Sequence, residues 1–150
     1  MSKWNRGLLA GLAATIVLSV LMVIKSAIGL IPAVDMIRQL TELGATHFGM
    51  PNSLVAGWVG HLIIGVVLWG LVFAGTYETW PSSPPKKGAV FSVMIWLLMM
   101  SMFMPMAGAG FFATNIGLAA AVVTLVLHLI FGVVLGWVFA WLGEARHQRD

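Results

Sequence analysis

Four long apolar stretches constrain this chain more than any other feature. They cover residues 7–30, 53–76, 88–112 and 117–142. The hydrocarbon core of a bilayer is about 30 Å thick and needs roughly 20 apolar residues in a helix. The stretches do not alternate apolar and polar residues, which excludes a transmembrane β-barrel. The sequence therefore predicts an all-α membrane protein with four transmembrane helices, forming one domain over residues 1–150.

The composition excludes the other broad classes. Only 9% of the 150 residues are charged and 60% are hydrophobic, whereas soluble domains carry about 25% charged residues. A disordered chain would be poor in apolar residues. The absence of cysteine rules out disulfides, iron–sulfur clusters and catalytic thiols. The motifs of nucleotide-binding enzymes, zinc peptidases and serine hydrolases are missing as well, which favours a non-enzymatic protein.

The basic residues predict how the helices are oriented. Six of the eight lysines and arginines flank the same ends of the four stretches. They are Lys3, Arg6, Lys86, Lys87, Arg146 and Arg149. The positive-inside rule makes that side cytoplasmic, so both termini are expected in the cytoplasm. The small positive net charge is then explained by the orientation of the helices in the membrane, and no nucleic-acid partner is expected.

The longer outer connection, residues 35–52, is expected to contain a short amphipathic helix. Proline 32 suits its first turn and Gly44 its end. Its apolar face would carry Met36, Ile37, Leu40 and Leu43, and its polar face Asp35, Arg38, Gln39 and Glu42. Such a helix either lies on the bilayer surface or forms a lid over an outward-facing site.

The two halves of the chain resemble each other. Residues 61–68 and 128–135 differ at one position, and a Pro/Ser-rich linker separates the halves, about 1–80 and 86–142. Two tandem helical hairpins forming a four-helix bundle are the simplest architecture. The repeat axis would run along the membrane normal, and His61 and His128 would be equivalent positions.

These two histidines are the main candidate site residues. Each is expected roughly 12–17 Å below the outer surface, at 1.5 Å per helical residue. Ionisable groups at that depth are costly and rarely face lipid. His61 lies between Gly57 and Gly65 at four-residue spacing, and His128 continues a similar row with Thr124, Gly132 and Gly136. Small residues at this spacing, which also separates Gly7 from Gly11, allow close helix contacts within or between chains. Both rings are therefore expected to point inward.

Four interpretations of the histidines remain open, and the last of them is another ligand such as a quinone. Neutral imidazoles are good axial ligands for haem b. Copper is the second interpretation, because Met102 and Met106 of the methionine-rich third stretch offer soft thioether ligands that suit Cu(I). In the third interpretation, the rings pack and hydrogen-bond to neighbouring helices. His47, in the outer connection, is expected to be solvated.

Lys25 is the other unusual residue, close to the outer end of the first stretch. It either snorkels to the interface or points inward, where it would bind an anionic headgroup, a cofactor propionate or a substrate. Asp35 is a nearby counter-ion candidate. Pro105 is expected to kink or end the third helix.

Four segments of the chain are similar to a known family. They are residues 25–35, 60–65, 104–110 (MPMAGAG) and 127–132. The chain resembles small, uncharacterised bacterial integral membrane proteins of the YagU-like kind. The resemblance implies four helices and a location in the bacterial inner membrane, and it implies no activity, substrate or ligand residue.

Three alternative functions are therefore considered for the chain. The first is a non-enzymatic accessory or scaffold subunit, in a homo-oligomer or with a membrane partner. The second is haem or copper binding and electron transfer, with His61, His128 and Lys25 at the cofactor. The third is a small channel or carrier, which would need to oligomerise because four helices leave little room for a path.

Overall fold

The structure, a computed structural model, describes residues 1–31, 34–80 and 82–147, with side chains described up to residue 144. This part is all-helical, and its five principal helices are α1 (Lys3–Ala27), α2 (Met36–Phe48), α3 (Leu54–Thr79), α4 (Pro84–Met106) and α5 (Leu118–His147). All except α2 are long and apolar enough to cross a membrane. Within their most apolar stretches only 22–33% of the residues are buried, so most of their apolar surface is left for lipid. The predicted fold class is confirmed.

Two of the apolar stretches extend several residues beyond the end of the helix that forms there. The helix α1 ends at Ala27 instead of residue 30, and α4 ends at Met106 instead of residue 112. Pro105 lies in the last turn of α4, and Gly108 and Gly110 follow it with φ angles of +75° and +79°. A left-handed backbone cannot continue a right-handed helix. The helix therefore ends just after Pro105, within the region where a kink or an end was expected, and the connection to α5 is longer than predicted.

Glycines bring the spanning helices into close contact in two pairs. Gly7 and Gly11 of α1 lie against the backbone of α3 around Gly70. Gly88 of α4 lies against Gly132 and Gly136 of α5. The two predicted small-residue motifs thus act within the chain, where they allow helix backbones to approach closely.

The tandem repeat itself stays a prediction. The structure pairs α1 with α3 and α4 with α5, as two hairpins require. The contacting glycines differ between the pairs, however: Gly7 meets Gly70, whereas Gly88 meets Gly132 and Gly136.

One end of the bundle carries the Arg6 and Lys87 side chains and an aromatic core. The Arg6 guanidinium donates hydrogen bonds to the Phe139 carbonyl at 3.1 and 2.7 Å, and Lys87 Nζ donates to the Tyr77 carbonyl at 3.0 Å. Phe73, Phe91 and Phe139 are buried here, and Phe73 contacts both other rings. Arg149 and the side chain of Arg146 lie outside the described part. We call this the aromatic end, and the opposite end the α2 end.

The amphipathic helix α2 exists, but its predicted limits were wrong. It begins at Met36 because Asp35 accepts a hydrogen bond from the Arg38 N–H at 3.1 Å and caps the helix. It ends at Phe48, followed by Gly49 with a φ of +63°, while Gly44 lies inside the helix. Pro32 lies outside the described residues.

The helix α2 packs against α3. Ile37 and Thr41 are buried against Gly57 of α3. Arg38 and Glu42 are exposed and form an ion pair at 3.7 Å, as expected for the polar face. Gln39, predicted on that face, is instead half-buried. Docking on α3 agrees with the lid interpretation.

Candidate functional site

A cavity of about 350 Å³ lies between the four spanning helices at the α2 end. The helices α1 and α3 contribute Thr15, Leu18, Met22, Lys25, His61, Ile64, Gly65, Leu68 and Trp69. The helices α4 and α5 contribute Ile95, Leu98, Met99, Met102, Phe103, Met106, Thr124, Leu127, His128 and Phe131. Val34, Met36 and Leu40, from α2 and the segment before it, complete the wall. The wall is thus largely apolar, with a few polar groups among the aliphatic and aromatic side chains.

Both π-helical segments in the described chain line this cavity. They are Ile63–Trp69 in α3 and Met99–Phe103 in α4. A π-helical turn holds an extra residue and occurs frequently at functional sites. The segment in α4 ends two residues before Pro105, whose ring would clash with the carbonyl of Ser101 in a regular α-helix. Two irregular helices therefore shape opposite walls of one space.

His61 is buried, as its row of small residues predicts. It follows Gly57, which contacts α2, and precedes Gly65, which contacts Thr15 of α1. Its Nε2 lies 3.1 Å from the Ser19 hydroxyl, and that hydroxyl lies 2.7 Å from the Thr15 carbonyl. Because the single Ser19 proton is donated to the carbonyl, the His61 Nε2–H donates to Ser19. His61 thus joins α3 to α1 while its ring lines the cavity.

His128 differs in its hydrogen bonding. Its Nδ1 lies 2.7 Å from the Thr124 carbonyl, one turn earlier in α5. A carbonyl oxygen only accepts, so Nδ1–H is the donor and the lone pair of the neutral ring lies on Nε2. Within the described chain Nε2 has no hydrogen-bond partner, and it is not enclosed by protein. His128 therefore presents a free acceptor on the cavity wall.

Lys25 lies at the rim of the cavity beside the connection to α2. Its Nζ donates to the carbonyls of Leu30, Ile31 and Val34 at 3.1, 3.3 and 2.7 Å. These three bonds account for the three protons of the ammonium group. Asp35, the expected counter-ion, is close enough to act on the charge of Lys25, and its side chain also caps α2. In this arrangement Lys25 fixes the chain between α1 and α2.

The predicted methionine ligands are also at the cavity. Met102 and Met106 line it, together with Met99, although Met102 and Met106 are 57% and 55% exposed. Met100 and Met104, on the other face of α4, are fully buried in a separate cluster. Within the described residues no three His, Asp or Glu side chains converge on a metal position. A copper site would therefore combine histidine with methionine.

Sequence reasoning missed part of the site. Trp69 lines the cavity, as do Thr15 and Thr124. Both hydroxyls donate to backbone carbonyls in their own helices, Thr15 to Gly11 and Thr124 to Ala120, at 2.7 and 2.8 Å. A single threonine or tryptophan in an apolar helix gives no signal of its own. The spacing of small residues identifies Thr124 only as a neighbour of His128.

A comparison with known protein families identifies the chain. A model of a family of unknown function, DUF6789, matches residues 1–150. The chain belongs to this family. No curated protein and no solved structure is significantly similar to it. The DUF6789 family carries no assigned activity, so the cavity itself has to supply the functional argument, and the likeness to YagU-like proteins stays a prediction.

Proposed function

We propose that this DUF6789 member is a non-enzymatic membrane protein that holds a small, largely apolar ligand in the cavity at its α2 end. The observation that carries the proposal is the cavity itself. Its volume of about 350 Å³ falls within the usual range of ligand pockets, about 300–1,000 Å³. Its wall is apolar apart from a few polar groups, and this combination is typical of small-molecule sites.

The side chains that line the cavity support entry from the bilayer. Leu68 of α3 is 47% exposed, and Leu98 and Met102 of α4 are 44% and 57% exposed. These residues lie on facing helices, and neither helix seals the space between them. An apolar ligand dissolved in the membrane would enter there without crossing water.

The packed core of the aromatic end favours binding of a ligand over its conduction through a single chain. Phe73, Phe91 and Phe139 fill the bundle beyond the cavity. A channel or carrier would need to displace this core or to form its path between several copies. The cavity is better suited to retain a molecule than to pass one through.

We also infer a place for the site in the cell. The Arg6 and Lys87 side chains lie at the aromatic end, and the positive-inside rule assigns that end to the cytoplasm. The termini would then be cytoplasmic and the cavity would lie in the outer half of a bacterial inner membrane. The bilayer is the first partner, and a second copy or another membrane subunit stays a prediction.

A pair of neighbouring leucines tests ligand binding. Leu98 lines the cavity and Leu97 does not, although both are 44% exposed. Filling the pocket with an indole in Leu98→Trp should remove at least about 90% of a compound that copurifies with the chain, since overpacking costs 1–3 kcal/mol. Leu97→Trp should retain it. Solvent extraction and mass spectrometry of the detergent-purified proteins measure the amount per chain.

The same experiment has a clear negative result. Lipids that merely surround the helices would be extracted in equal amounts from the wild type and from both variants. If those are the only compounds found, the cavity holds no ligand and the proposal is wrong.

Haem or copper is a second candidate because of one observation at His128. Metal-ligating histidines almost always donate their other ring N–H to a carbonyl or carboxylate, and His128 donates Nδ1–H to the Thr124 carbonyl. His61, on the same cavity, donates its Nε2–H to the Ser19 hydroxyl instead of to a carbonyl or a carboxylate. The geometry therefore favours His128 as the first ligand.

Visible absorption tests this second candidate. Haem bound through His128 gives a Soret band that His128→Ala should abolish, while His47→Ala, on an exposed part of α2, should leave it unchanged. A colourless wild-type protein from haem-supplied cells would contradict haem binding. Copper would be found by elemental analysis and should decrease in Met102→Leu.

A further inference from the structure

The hydrogen bonds on the cavity wall define which polar group a ligand would need. Among the described lining residues, the hydroxyl protons of Thr15 and Thr124 are donated to backbone carbonyls. The three ammonium protons of Lys25 are matched by three carbonyls as well. These groups, which would otherwise donate to a ligand, are therefore already engaged within the chain.

The free ring nitrogen of His128, in contrast to these engaged donors, is a hydrogen-bond acceptor without a partner. Its Nδ1–H is committed to the Thr124 carbonyl, so Nε2 accepts a hydrogen bond and cannot donate one while the ring is neutral. The indole N–H of Trp69 is the one lining donor without a partner in the described part of the chain. A hydroxyl group is compatible with either of them, because it can donate to an imidazole nitrogen and can accept from an indole.

We propose that the cavity selects lipophilic alcohols or phenols over ethers and ketones of the same shape, because His128 Nε2 requires a hydrogen-bond donor. This inference rests on the proposed ligand-binding function and specifies its ligand class. An ether or a ketone offers only acceptors. Placed beside Nε2, it leaves the nitrogen without a partner in an apolar site, and a buried polar group without a partner is costly.

Two matched compounds test the selection. 2-Naphthol carries a hydroxyl where 2-methoxynaphthalene carries a methyl ether, and both have the same ring system. Binding is measured by equilibrium dialysis against the full chain in lipid nanodiscs, with empty nanodiscs subtracted to remove partition into lipid. We expect 2-naphthol to bind the wild type about tenfold more tightly, as for one hydrogen bond to a group otherwise left unpaired.

Two variants assign the preference to His128. His128→Phe keeps an aromatic ring and removes the acceptor, so it should lower 2-naphthol binding to the level of the ether and leave the ether unchanged. His128→Gln places an amide oxygen near the position of Nε2 and should restore part of the preference. The comparison of the two compounds on the wild type needs no variant and holds even if a variant fails to fold.

The other possible results distinguish failure of the selection from failure of ligand binding. Equal binding of both compounds to the wild type overturns the selection but leaves apolar ligand binding intact. A preference for 2-naphthol that persists in His128→Phe overturns the role of His128. Binding of neither compound above empty nanodiscs contradicts the selection and the ligand-binding function together.

Discussion

Replacing Gly88 by alanine is expected to destabilise the folded chain by about 3 kcal/mol. A methyl group on Gly88 would overlap the carbonyl oxygen of Gly132 and lie 2.9 Å from the Gly136 amide nitrogen. Both atoms belong to the backbone of α5, which cannot rotate away as a flexible side chain would. The two helices must move apart, and overpacking of this kind costs 1–3 kcal/mol or more. The lost contact also removes the close packing that holds membrane helices together.

Gly60→Ala is the matched control for this prediction. Gly60 also lies inside a spanning helix, and a methyl group there would meet no atom within 4 Å. Unfolding by sodium dodecyl sulfate in mixed micelles, followed by circular dichroism, measures both variants. Gly60→Ala should change the free energy of unfolding by less than about 0.5 kcal/mol, as surface substitutions usually do. Equal stability of the two variants would show that α4 and α5 do not meet at Gly88.

The second large effect is expected at Gly57, where α2 docks on α3. A methyl group on Gly57 would overlap the Thr41 hydroxyl and approach the Ile37 carbonyl. Gly57→Ala should therefore release α2 from the bundle while the spanning helices stay folded. Local units of a protein can open separately from the whole. A loss of about 2 kcal/mol at this contact corresponds to amide exchange about 30-fold faster across Met36–Phe48.

Hydrogen–deuterium exchange with mass spectrometry measures this opening. Peptides from α1 and α5 should keep the wild-type rate in Gly57→Ala, and Gly60→Ala should exchange like the wild type throughout. Because Met36 and Leu40 line the cavity, the opened variant should also release its ligand sooner. Unchanged exchange in α2 would contradict docking at Gly57 and the lid interpretation with it.

Patterns that extend over whole helices could be predicted from the sequence. Runs of apolar residues predicted the four spans, and the regular spacing of Gly7 with Gly11 and of Gly132 with Gly136 predicted close contacts. The small residues around His61 correctly predicted an inward ring. In each case a single physical requirement, such as bilayer thickness or the absence of a Cβ, repeats along the helix.

Features that depend on individual hydrogen bonds could not be predicted. The helix α2 begins after Asp35 because the Asp35 side chain caps a backbone N–H. The spacing of apolar residues does not show whether the helix begins there or at Pro32. Lys25 bonds to carbonyls that come near it only after the connection to α2 folds back. The π-helical segment at Ile63–Trp69 has no proline after it and no other sequence signal. The cavity depends on these local departures from regular helix geometry.

An experimental structure of the chain, purified from its own membrane and determined in lipid, would show whether the cavity holds a ligand. We predict non-protein density between α3 and α4, with a polar atom about 2.7–3.2 Å from His128 Nε2, the range of a hydrogen bond. Side chains of Leu98 and Met102 packed across the space, with no density between the helices, would contradict it.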